Sequence, residues 1–132
     1  MYKKIVFTLF ILIILGINSY AQQETYKYRC FEDELYSNGS ESGWQPVNIL
    51  VTINSEKVRV FASREFNIDI ISVGDVKKNE KSNRVLEMIG VDEFGTKCKV
   101  RFTKFENPTG EHIATLTVVY SDIEYYFRLK DN

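Results

Sequence analysis

The segment Lys97-Cys98-Lys99-Val100-Arg101-Phe102-Thr103 decides the fold. In an extended chain successive side chains point to opposite faces. Cys98, Val100 and Phe102 then share one face, with Lys97, Lys99, Arg101 and Thr103 on the other. A helix of 3.6 residues per turn would scatter both sets around its circumference. The alternation predicts a strand with one buried and one wetted side.

Read outward from there, the same period of two recurs. Ile113 to Tyr120 and Ile123 to Lys130 form a hairpin across Ser121-Asp122. In its second arm Ile123, Tyr125, Phe127 and Leu129 oppose Glu124, Tyr126, Arg128 and Lys130. Upstream, Arg84 to Val91 is apolar on both sides, and Phe66, Ile68 and Ile70 make a further stripe. Val47 to Asn54 and Lys57 to Ala62 read as a tight hairpin, and Thr25 to Glu32 aligns Tyr26, Tyr28 and Cys30. The breaks at residues 79–83, Asp92-Glu93-Phe94-Gly95 and Asn107-Pro108-Thr109-Gly110 carry turn residues. Asp33 to Pro46 reads as the one long polar loop, and it holds the single Trp, Trp44. No stretch beyond residue 21 shows a helical apolar period.

Eight short strands joined mostly by hairpins predict an all-β fold, a small antiparallel up-and-down barrel, with a two-sheet sandwich as the alternative. The inward stripes carry Val, Ile, Phe, Tyr and Leu, so the interior is expected to fill itself and leave at most a modest apolar pocket. Arg59, Arg101 and Arg128 fall on the outward stripes.

The N-terminus reads as an address. Lys3 and Lys4 precede an apolar run from Ile5 to Ile17, and Ser19-Tyr20-Ala21 ends it with small residues where a signal peptidase reads them. Such a run makes about 20 Å of helix at ~1.5 Å per residue, short of the roughly 30 Å that a membrane span requires. Residues 1–21 are therefore expected to be a cleaved signal peptide, and residues 22–132 a single all-β domain, exported to the periplasm or secreted. No Cys stands at the cleavage point, which argues against a lipid anchor, so no stable membrane anchor is expected.

Composition narrows the function. The 132 residues carry 17 Lys+Arg against 18 Asp+Glu, a balance that supplies no basic surface for nucleic acid. Hydrophobic residues at 44% and charged residues at 27% exclude global disorder. Cys30 and Cys98 are the only cysteines, and in an oxidising compartment they are expected to pair as a disulfide, against the alternative of two separately buried thiols. They lack zinc-site spacing, and no metal or cofactor is expected.

The signal ending Ser19-Tyr20-Ala21-Gln22-Gln23, the Cys98 strand and the closing hairpin from Val118 to Tyr126 resemble short exported lipocalin-like (calycin-type) β-barrel proteins of Gram-negative bacteria. The resemblance is one of pattern and spans the mature chain. It departs from true lipocalins, whose Gly-x-Trp opens the first strand, because Gly43 and Trp44 are adjacent and follow it. It departs from fatty-acid-binding proteins, whose last strand carries Arg-x-Tyr, because the order here is Tyr126-Phe127-Arg128. What it implies is a barrel and a hydrophobic ligand, with no binding residue carried over.

No catalytic motif is present, and no Gly-x-Ser-x-Gly surrounds any serine. The expected function is that of an exported non-enzymatic barrel, binding a small apolar ligand or an envelope protein. Tyr36, Trp44, Phe94 and Phe105, aromatics near loops or strand ends, are the candidate contacts, with packing as the competing role. A first alternative is a small hydrolase using His112, the sole histidine, with carboxylates of the Asp33 to Glu41 stretch. A second is a structural or inhibitory interaction module. Asn38-Gly39-Ser40 fits a glycosylation sequon and, more simply, an Asn-Gly turn.

Overall fold

The computed structural model describes residues 25–110 and 112–132, so the expected signal peptide lies outside the described residues. Ten strands follow one another: β1 (Tyr26–Ser37), β2 (Ser40–Glu41), β3 (Gln45–Ile53), β4 (Lys57–Phe61), β5 (Glu65–Val73), β6 (Lys77–Lys78), β7 (Arg84–Val91), β8 (Lys97–Thr109), β9 (His112–Val119) and β10 (Ile123–Asp131). Among the described residues there is no helix.

Eight of them form a closed antiparallel ring, in the order β1-β3-β4-β5-β7-β8-β9-β10 with β10 returning to β1. Each ring strand pairs with the ring strand before and after it in the chain, so the barrel is up-and-down and the sandwich alternative falls. The two-residue strands β2 and β6 lie outside the ring, against β1 and β7. Closure removes free sheet edges, which would otherwise invite pairing with other chains.

The interior is made by the predicted stripes. Val51, Ile53, Val58, Val60, Ile68, Leu86, Val100, Phe102, Leu116 and Leu129 are each almost wholly buried. Each such side chain contributes roughly 1.5–3 kcal/mol by leaving water. Inward space is also made by a missing side chain: a Cβ on Gly90 would lie 2.3 Å from Cγ2 of Ile68. The outer face carries cross-strand ion pairs, among them Glu32–Arg128 at 2.9 Å and Glu87–Arg101 at 3.1 Å. These half-exposed pairs are worth little individually.

Three expectations are corrected. Cys30 and Cys98 are both buried but free. Cys30 sits on β1 between Ile49 and Leu129, whereas Cys98 sits on β8 beside Gly90. Two strands, β10 and β9, separate them around the ring, and inward-facing side chains so placed have core between them. The Cys30 thiol donates instead to the Glu32 carbonyl at 3.2 Å.

Asp33 to Pro46, expected as a loop, is mostly strand. β1 runs on to Ser37 because β10 pairs with it as far as Ser37–Ile123. It then reverses at Asn38-Gly39, both at positive φ (53° and 77°), the backbone of a type I′ hairpin. Similarly, β8 continues through Pro108 to Thr109 before turning near Gly110, whose φ is 62°.

Candidate functional site

All the connections of one barrel end, 38–44, 62–64, 92–96 and 120–122, surround a cup at the mouth. Its position is set by a defect in β1. The register against both neighbours slips between Cys30 and Glu32, leaving Phe31 as the extra residue of a β-bulge. Past the bulge the alternation is reset: Asp33 stands opposite inward-facing Phe127, and Leu35 opposite Tyr125, while Glu32 pairs outward with Arg128. A carboxylate is thereby aimed into the barrel.

Asp33 lines a cavity of about 440 Å³ with Val47, Ile49, Ala62, Phe66 and Phe127, capped by Arg64 and Tyr125. Ligand sites typically occupy roughly 300–1,000 Å³. Among the described residues Asp33 has no hydrogen bond or ion pair. Burial pushes its carboxyl above the usual carboxylate range, with no other contribution resolved.

The opposite side of the mouth is heavily bonded, with one exception: among the described residues the buried Arg64 Nε meets no acceptor. Arg64, from the β4–β5 turn, lies 4.4 Å from the centre of the Phe66 ring and 5.4 Å from those of Tyr120 and Tyr125. It donates to the Tyr125 hydroxyl at 3.1 Å, the Tyr120 hydroxyl at 3.3 Å and Asp92 Oδ2 at 3.4 Å, with Glu93 at 3.8 Å. The Tyr120 hydroxyl donates to Asp92 Oδ2 at 2.8 Å. Oδ1 of Asp92 accepts the backbone N–H groups of Phe94 and Thr96, each at 2.9 Å.

The side chain of Asp92 is 1% exposed. Burial alone would raise its pKa. The donated bonds from Thr96, Tyr120 and Phe94, with the Arg64 charge, outweigh that and hold it below the usual carboxylate range. The same surroundings act on its neighbours: burial pushes the Cys98 thiol up to about 11, with Asp92 adding to the rise. On the other side, burial raises Cys30 to about 12, with Asp33 adding to it. Neither thiol is a reactive thiolate at neutral pH.

The aromatics singled out from sequence are dispersed. Phe94, 77% exposed, stands on the mouth rim 5.9 Å from the Arg64 guanidinium. Trp44 lies on the outer wall, with the Arg128 guanidinium 3.8 Å above its ring and Tyr126 edge-on at 6.5 Å. Tyr36, opposite Glu124 and Glu41, occupies the same outer wall by alternation. Phe105 lies toward the far end of the barrel, its ring 4.5 Å from His112.

His112 is also remote from the cup. Its Nε2 lies 2.8 Å from the Thr115 hydroxyl. Burial, with help from Arg128, lowers its pKa. With Phe105, Lys81, Asn83 and Pro108 it borders a second recess of about 340 Å³. Asp33 faces the interior and Glu41 lies on the mouth side, so the structure brings neither to His112. Glu32, just before that stretch, acts on it electrostatically, and its carboxylate is bound to Arg128.

Sequence reading missed the mouth residues Asp33, Arg64, Asp92, Tyr120 and Tyr125 as a group. One signal was available: an Asp followed by amides two and four positions on, in Asp92-Glu93-Phe94-Gly95-Thr96, is the pattern of a carboxylate that caps its own turn. Among the described residues no group of His, Cys, Asp and Glu is placed to hold a metal ion. Comparison with protein-family models, with curated proteins and with solved structures found no match.

Proposed function

We propose that the chain is a non-enzymatic ligand-binding barrel whose mouth takes up a small, largely apolar molecule. The cup carries this reading: about 440 Å³ walled by Val47, Ile49, Ala62, Phe66 and Phe127, with Asp33, Asn48, Ser63 and Arg64 as its polar lining. At ~30 Å³ per water that is space for on the order of fifteen waters, and releasing them from an apolar wall favours binding. The eight-stranded ring fits the role, because a barrel of this size holds one small ligand at most. Export guided by residues 1–21 belongs to the same proposal and places the protein outside the cytoplasm.

The test is titration with an uncharged fluorescent apolar probe. Saturable binding at one probe per chain is expected, and Ala62→Trp, whose indole takes up part of the cup, should weaken it at least tenfold while leaving the circular dichroism spectrum intact. Absence of saturable binding, or binding that Ala62→Trp leaves unchanged, would overturn the reading.

A further inference from the structure

The interior-facing carboxylate of the cup has no use in holding the barrel together. Among the described residues no donor meets it, and leaving a carboxylate in poorly solvated surroundings costs stability. Its neighbours offer no compensation. From β3, Gln45 and Val47 flank it, and from β10, Phe127 and Tyr125. Glu32 and Glu34 lie on the outward side of the same strand, and Glu32 is tied to Arg128.

Arg64, the one cation lining the cup among the described residues, is largely occupied: its terminal nitrogens are shared among Asp92, Glu93 and two tyrosine hydroxyls, and only its buried Nε lacks an acceptor. Arg64 and Asp92 cancel, so the uncompensated charge facing the cavity is negative. Aromatic rings lie beside it, and ring faces attract cations more strongly once water is excluded.

We propose that the ligand of the cup carries a basic nitrogen, and that its ammonium group pairs with Asp33 while its apolar body lies against Val47, Ile49, Phe66 and Phe127. This rests on the cup being a ligand site, and it adds the ligand's chemical class. The β-bulge at Phe31 is then a functional device, since without it residue 33 would face solvent. A charged, hydrogen-bonded pair formed away from water is stronger and more directional than one at the surface, so an ammonium should be selected over a neutral group of the same shape.

Three probes that share a phenylethyl body provide the test: 2-phenylethylamine, 2-phenylethanol and 3-phenylpropanoate, followed by ligand-detected NMR and by displacement of the neutral fluorescent probe. The amine should bind at least tenfold more tightly than the alcohol, and the carboxylate least tightly. Asp33→Asn should remove the preference for the amine, so that amine and alcohol bind within about twofold of each other. A thermal melt no lower than that of the natural chain would show that this variant is folded.

Equal affinities for amine and alcohol would overturn the proposal while leaving the apolar cup in place. Tightest binding of the carboxylate would overturn it in favour of Arg64 as the head-group receptor. Failure of all three, together with failure of the neutral probe, would remove the ligand site itself.

Discussion

Two aspartates stand at the same mouth of the same barrel and are treated in opposite ways. Asp92 is almost wholly buried, yet two backbone N–H groups, a tyrosine hydroxyl and a guanidinium meet its oxygens. Asp33 is less enclosed, yet among the described residues no donor reaches it. Burial acts on both, and the donors decide the outcome: Asp92 is held ionised and Asp33 is pushed toward the neutral form. The difference teaches that at this mouth a carboxylate is structural or available according to what its surroundings donate, and depth alone does not decide which.

The largest effect should come from removing the saturated carboxylate. Asp92→Ala strips two turn amides, Tyr120 and Arg64 of their acceptor, and breaking a buried charged network costs about 3–5 kcal/mol. Urea denaturation measures it, and a loss below about 1 kcal/mol would erase the contrast between the two aspartates. Tyr120→Phe removes one donor to Asp92 and one acceptor for Arg64 and should cost about 1–2 kcal/mol.

Acidity should separate the two residues by sign. The folded pKa of Asp92 is lowered, so its contribution is present above its unfolded pKa and is lost as pH falls through the folded value. Asp33 has a raised folded pKa, so the folded chain holds that proton more tightly, and stability declines as pH rises from the unfolded value through the folded one. Asp33→Asn should therefore be at least as stable as the natural chain at pH 7, and that advantage should vanish below the carboxylate range. Denaturation midpoints collected from pH 3 to about 7 read both slopes.

The smallest effect belongs to the outer wall. Trp44→Ala loses a half-exposed stack on Arg128 worth about 0.5–1 kcal/mol, and it should leave probe binding in the cup unchanged.

Much of the fold was legible before the structure was. Alternation in Lys97 to Thr103 and in the closing hairpin assigned faces correctly, because a chain with one greasy side has only one way to turn it inward. Arg59, Arg101 and Arg128 stayed outside for the same reason. Closure was another matter. Period two distinguishes two faces but not a ring from a sandwich, and the pairing of β1 with β10 that decides it joins Tyr28 to Asp131, far apart in the chain.

The cysteines show the same limit. Their inward placement could be read, but their positions around the ring could not. The mouth was the least legible region. A one-residue bulge at Phe31 moved Asp33 to the inner face, and a polar strand interior looks like a loop when read by composition. Arg64 meets Asp92, Tyr120 and Tyr125 across separations of 28, 56 and 61 residues. No local pattern announces such a meeting.

The seam between β1 and β10 also constrains how the molecule comes into being. Until those two segments meet, the growing sheet has two raw margins and an uncovered greasy concavity, both open to association with other chains. Zipping them together demands the most distant pairing in the chain, which makes assembly slow relative to that of helical proteins of this size. Lengthening the hairpins elsewhere should be tolerated, whereas loss of either seam strand leaves no smaller barrel to fall back on.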